Sequence, residues 1–162
     1  MSFFRALGSG LVGAVALTAI HETARRFLTD APRMDVLGMR AVAKSLRAFD
    51  QEAPVPLHEI TLAGDILSNS LYYSLVAVGD ARTAMLRGAA LGAAAGVGAV
   101  LLPEPLGLGA QPSRSAATQA MTVAWYLAGG LAAGAAYQLL GEADEGQHAA
   151  QRRLPARVTR RR

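Results

Sequence analysis

No cysteine occurs in the 162 residues, which excludes a disulfide framework, thiolate metal ligands and a cysteine nucleophile. Aromatic residues make up only 6% of the chain and charged residues 17%. The first shortage leaves little bulk for a water-driven core; the second excludes a disordered class. Lysine is nearly missing too, Lys44 standing alone among arginines. What is plentiful is Ala, Gly, Leu and Val, within a hydrophobic content of 52%. Such small apolar side chains suit close helix packing in lipid, so the composition points to a membrane and to the lipid bilayer as first partner. Usage this heavy in Ala, Arg and Gly fits a GC-rich bacterial genome, hence a bacterial inner membrane. The net charge of +4 is spread over loops and a tail rather than along one folded face, so nucleic acid is not an expected partner.

The chain reads as one all-α unit, a polytopic bundle of four transmembrane spans over residues 1–141, followed by a mobile basic tail at 142–162. Phe3 to Ile20 is apolar over about the length needed to cross ~30 Å of hydrocarbon. His21-Glu22 stands where a cleaved leader needs small residues, so this segment reads as a retained span. Residues 23–57 are polar, yet Met39, Val42, Leu46 and Phe49 recur at helical spacing, with Arg40, Lys44 and Arg47 on another face. That pattern predicts an amphipathic helix at about 35–50, lying on the bilayer surface or packed on the bundle. Ile60 to Gly79, Arg82 to Leu102 and Ala116 to Leu140 are the remaining span candidates, with Arg82 and Arg87 placed to snorkel toward an interface.

Ile60 to Gly79 is the span that charge counting challenges. With four spans and the amino terminus inside, Lys and Arg divide 9 inside against 7 outside; with three spans and this segment at the interface they divide 14 against 2. The positive-inside rule thus favours the three-span alternative, whereas the length of the segment and its one-sided polarity favour four.

Two groups of residues stand out. Gly88, Gly92 and Gly96 recur at four-residue steps, and Gly130 and Gly134 repeat the step in the last span. Both helices offer flat seams through which backbones approach in lipid, either within the chain as a hairpin or across a homodimer or another membrane subunit. The second group is polar. His58, Asp65, Asn69 and Tyr72 share one helical face, and an ionisable residue inside a span must face the bundle or water. His21-Glu22 and His58-Glu59 fall on the same membrane side, and His with Glu are ligand types for zinc or iron. Consecutive residues diverge by about 100° on a helix, however, so each pair offers one ligand only. No metal or other cofactor is therefore predicted.

No phosphate-binding loop, nucleophile elbow or His-Glu-x-x-His sequence occurs. The runs Gly10-Leu11-Val12-Gly13-Ala14 and Asp30-Ala31-Pro32-Arg33-Met34-Asp35, followed by His58 and a polar helix, resemble small bacterial inner-membrane proteins of uncharacterised families. Those carry a Gly-rich first helix, a Pro-Arg/Met-Asp linker and a His opening the next helix. The resemblance covers roughly the first half of the chain and implies four helices, with no catalytic residue to carry over. The sequence thus predicts a non-enzymatic accessory or scaffolding subunit of the membrane. The alternatives are a small transporter or proton-conducting protein using Asp65, and a metal-dependent membrane enzyme built on His21, Glu22, His58 and Glu59.

Overall fold

A computed structural model describes residues 3–52, 56–109 and 115–153, with residues 144–153 as helical backbone only. All regular elements among them are helical: α1 (Phe3–Phe27), α2 (Met34–Ala48), α3 (Leu57–Tyr73), α4 (Ala84–Leu101) and α5 (Ala116–Arg153), with 3-10 turns at Ser74–Ala77 and Ala81–Thr83 joining α3 to α4. Among the described residues three segments are long and apolar enough to cross a membrane: Phe3–Phe27, Ala81–Leu101 and Ala116–Ala143. Large apolar side chains stand exposed all round them, among them Leu11, Val12, Val15, Leu86, Val97, Leu101 and Leu139. Water would penalise that surface, but lipid is as apolar as the side chains themselves.

Contacts along α5 give the directions. Arg5 near the start of α1 donates from Nε to the Tyr137 carbonyl at 2.8 Å, and its guanidinium lies 3.9 Å from the Tyr137 ring centroid. His21, four turns further along α1, stacks beside Trp125 and Tyr126 instead. In the same way Ala84 at the start of α4 meets Gly134, and Gly96 meets Val123. Both α1 and α4 therefore run antiparallel to α5 and parallel to each other. Between them, α3 and the 3-10 turn at Ser74–Ala77 carry the chain back from one end of the bundle to the other. Arg5 and the turn before α4 lie at one end, while α2, the 102–109 connector and the start of α5 lie at the other.

Several sequence expectations shift. The first helix does not stop at Ile20. Arg25 and Arg26 occupy its last turn, where cations favour the helix carbonyl end, and Arg25 pairs with Glu22 one turn earlier at 2.6 Å. The segment expected as a span from Ile60 to Gly79 is an α-helix of 17 residues from Leu57 that tightens at Ser74. Arg87 reaches back toward the turn before α4: its Nη2 donates to the Val76 and Asp80 carbonyls at 2.7 and 2.8 Å, covering acceptors that the turn leaves open. The last helix continues through Arg153, so 142–153 is helical; Arg114 and the final residues 154–162 lie outside the described residues. The amphipathic helix expected at about 35–50 forms as α2, Met34–Ala48. It buries Leu37 and sets Gly38 against Thr61 of α3, while Phe49 stays exposed. Arg40 and Lys44 reach the Leu108 and Leu106 carbonyls of the connector.

Packing of α4 on α5 is backbone against backbone. Gly88 and Gly130 face each other. A Cβ at Gly92 would lie 2.5 Å from the Tyr126 carbonyl oxygen, one at Gly96 2.7 Å from Val123 Cα, and one at Gly134 2.7 Å from the Ala84 oxygen. Those distances are far inside van der Waals contact, so only glycine fits. The first helix has a seam of its own, which the sequence pattern did not single out: a Cβ at Gly13 would lie 2.7 Å from the Gly129 oxygen, and one at Gly10 2.8 Å from Ser74 N. Gly92→Leu should therefore force α4 off α5 and destabilise the bundle by about 1–3 kcal/mol or more, as overpacking does. Thermal unfolding of the purified variant in detergent measures this, and an unchanged melting temperature would contradict the seam.

Candidate functional site: a polar cavity between the first three helices

Thr18, His21, Glu22 and Arg25 stand at steps of three, one and three on α1. His58, Thr61, Leu62 and Asp65 repeat the same steps on α3. Residues at i, i+3, i+4 and i+7 share one helix face, and α1 and α3 turn these faces toward each other. Met34, Asp35 and Gly38 of α2, with Pro32 before it, cover the gap, and together these side chains enclose a cavity of about 40 Å³. Water-sized occupants need roughly 10–15 Å³ each, so there is room for a few small polar groups.

Four of the seven polar residues singled out from the sequence, His21, Glu22, His58 and Asp65, thus line one cavity. Both members of the His21-Glu22 pair take part, because the cavity lies between their directions. Asn69 supports from behind: its Nδ2 donates to Asp65 Oδ1 at 2.9 Å and to the Asp65 carbonyl at 3.0 Å. Glu59 is exposed and points elsewhere. Tyr72 leaves the cavity to donate to the Leu91 carbonyl of α4 at 2.9 Å. Among the described residues no three of the His, Asp and Glu side chains are placed to hold a metal ion, so the metal-enzyme alternative has no donor set there.

The charges at the mouth pair off. Arg25 joins Glu22 at 2.6 Å to Asp35 at 3.2 Å, tying α1 to α2, and Arg33 grips both Asp35 oxygens at 2.9 and 3.0 Å. Burial pushes the Asp35 carboxyl up. The Arg33 hydrogen bonds and charge, the Val36 amide and the Arg25 charge together outweigh this and hold it below its ordinary value. Deeper inside, Asp65 has no cationic partner among the described residues. Its Oδ2 accepts no hydrogen bond there. Two polar atoms on α1, Thr18 Oγ1 and His21 Nε2, are fully buried without a hydrogen-bond partner among the described residues. The His21 ring is held 5.1 Å from that of Trp125 and 5.9 Å from that of Tyr126. Below this layer the bundle closes on Leu17 and Tyr73, both fully buried, with Tyr73 Oη donating to the Tyr126 carbonyl at 2.8 Å.

Sequence reasoning missed Thr18, Arg25, Asp35 and Thr61. The repeated spacing of Thr18-His21-Glu22-Arg25 and His58-Thr61-Leu62-Asp65 was the available signal for three of them. Asp35 had none, because its place depends on how α2 folds over the other two helices. Compared with family models, curated proteins and solved structures, the chain has no match in any of the three.

A lowered carboxyl stabilises the fold above the ordinary carboxylate value of about 3.9 and loses that contribution as pH falls through the folded-state value. The Arg25–Asp35–Arg33 cluster should therefore add about 1 kcal/mol at neutral pH, as a partly screened ion pair does, and nothing once Asp35 is protonated. Melting temperatures in detergent between pH 7 and pH 3 measure it: Asp35→Asn should start lower at neutral pH and fall less on acidification. Parallel curves for the two proteins would contradict the assignment.

Proposed function

We propose that the chain is a multi-pass protein of a bacterial inner membrane and acts as a small transporter or proton-conducting protein whose working group is Asp65. One observation carries this reading: a carboxylate set inside the helix bundle, with an amide as its only side-chain partner among the described residues, faces a polar cavity shared with two histidines. An unpaired carboxylate in a span is expensive, and its usual return is a proton or ion that comes and goes. In this role Asn69 holds Oδ1 and leaves Oδ2 to exchange a proton. His58 lies two turns nearer the start of α3, toward the end where α2 sits, and relays from that side.

Four crossings are part of the proposal. The parallel course of α1 and α4 supports it, since a chain that crosses in both must return between them. So does the outer face of α3, where Ile60, Leu67, Leu71 and Leu75 are exposed in one stripe opposite the polar face. A bacterial host is supported by the arginine-rich, alanine-rich composition alone. An accessory or scaffolding subunit is the second reading, favoured by the closed layer at Leu17 and Tyr73, which leaves the cavity open toward one end only.

Two measurements test these readings. Reconstituted in liposomes under a proton gradient, the protein should pass protons and Asp65→Asn should not, while melting at a similar temperature. Equal flux in both, or none in either, would leave the accessory reading. With four crossings, reporter fusions after Ser2 and Arg162 should fall on one side of the membrane and a tag at Asp50 on the other. Asp50 and the carboxyl terminus on the same side would demote α3 to an interfacial helix.

A further inference from the structure

The cavity has one end left to open, and α2 lies across it. On the far side the layer at Leu17 and Tyr73 is closed, both residues being fully buried, and α1 and α3 form the walls. Pro32, Met34, Asp35 and Gly38 cover what remains. A proton or ion that reaches Asp65 from this end has to pass beneath them, so the way α2 is held decides when the site is open.

It is held unevenly. Its amino-terminal end is pinned into the bundle: Thr118 Oγ1 of α5 donates to the Asp30 carbonyl at 2.9 Å, Ala31 and Pro32 are buried, and Asp35 meets Arg25 of α1 at 3.2 Å. Past that point the hold is thin. Leu37 is the one residue of the helix that is buried, Gly38 rests on Thr61, and the last two turns bury no side chain. What ties the far half down is a pair of exposed cations. Arg40 donates to the Leu108 carbonyl at 3.2 Å and Lys44 to the Leu106 carbonyl at 2.5 Å.

The connector between α4 and α5 is shaped to receive them. Gly107 and Gly109 have φ of +66° and +75°. A Cβ at the first would lie 2.7 Å from Lys44 Nζ and one at the second 3.4 Å from Arg40 Nη1, so glycine supplies both the turn and the room for the cations. Bonds of this kind, open to water, and elements with little buried surface are what local opening selects.

Resting on the transport reading above, we infer that α2 is a lid over the Asp65 cavity, pivoting at Asp30–Pro32 and latched at its far half by Arg40 and Lys44 on the glycine-bearing connector. Closed, it shuts the cavity from that end; released, it admits water and the protons that water carries. The latch thus controls the working carboxyl from a distance, through carbonyls that belong to the other helix pair.

The chain has no cysteine, so single introduced thiols report the lid directly. Thr61→Cys places one beneath Gly38, while Ser70→Cys places one nearly as buried on the same helix, against Gly10 and away from α2. In the purified full chain in detergent, N-ethylmaleimide should label Thr61→Cys about tenfold or more faster once Arg40→Ala and Lys44→Ala remove the latch, as loss of charged hydrogen bonds shifts an opening equilibrium. Labelling of Ser70→Cys should not change. Equal acceleration at both positions, or none at Thr61→Cys, would overturn the lid. It can also be locked: a Cβ at Gly38 would lie 2.7 Å from Thr61 Cγ2, so Gly38→Cys combined with Thr61→Cys brings two thiols within disulfide reach. In liposomes under a proton gradient, oxidation of this pair should stop Asp65-dependent flux and reduction should restore it. Flux that ignores the disulfide would overturn the lid and leave the transport reading intact. Latch-dependent labelling at Thr61→Cys with no flux in any variant would support the lid and refute transport.

Discussion

Everything in this bundle rests on backbones touching. A helix pair in lipid gains nothing from hiding apolar surface, because the tails outside are as apolar as the side chains. What holds α4 to α5 is the contact that becomes available when Gly88, Gly92 and Gly96 meet Gly130, Tyr126 and Val123 with no Cβ between them. The same device fixes α1, where Gly10 lies on the carbonyl of Ser70 and Gly13 on that of Gly129. Tyr73 is locked between these two contacts, fully buried and donating across to α5. The seams thus set the register of three helices at once, and register decides which faces of α1 and α3 oppose each other.

That dependence explains the cavity. Close approach at Gly10 pins α1 to the last turn of α3 at Ser70 and Ser74, and Gly13 sets α1 against α5 beside the Tyr73 ring, whereas toward the α2 end the facing residues are Thr18, His21, His58, Thr61 and Asp65, which are larger and polar. The helices stay apart there by the width of those side chains, and α2 covers the gap from outside with Gly38 against Thr61 of α3. The Arg25–Asp35 contact then joins the cover to the wall. Packing at the glycines and polarity at the opening are two results of one geometry.

Much of this was legible in the sequence, for reasons that differ by element. Residues at four-residue steps announce a seam wherever they fall, so Gly88, Gly92 and Gly96 stood out without knowledge of their partner. The polar face of α3 was equally plain, since periodicity alone puts His58, Asp65 and Asn69 together. Helix limits were not, because Arg25, Arg26 and the acidic run after Gly141 read as loop or tail by polarity, while a helix end tolerates them. The hydrogen bonds of Arg87 were not legible, because nothing local shows that a 3-10 turn eleven residues earlier would leave a carbonyl for it. Asp35 joined the site only through tertiary placement, and one sequence holds no trace of that.

The tightening at Ser74 has a consequence for reach. Seventeen α-helical residues rise about 25 Å, short of the ~30 Å of hydrocarbon a membrane presents. A 3-10 residue advances about 2.0 Å rather than 1.5 Å, so the four residues from Ser74 to Ala77 extend the same segment to about 33 Å. A stretched last turn gains about 2 Å, the rise of little more than one further α-helical residue, and Arg87 takes up the carbonyl that the change of pitch releases. A segment too short by its α-helical count thereby reaches a length comparable to that thickness.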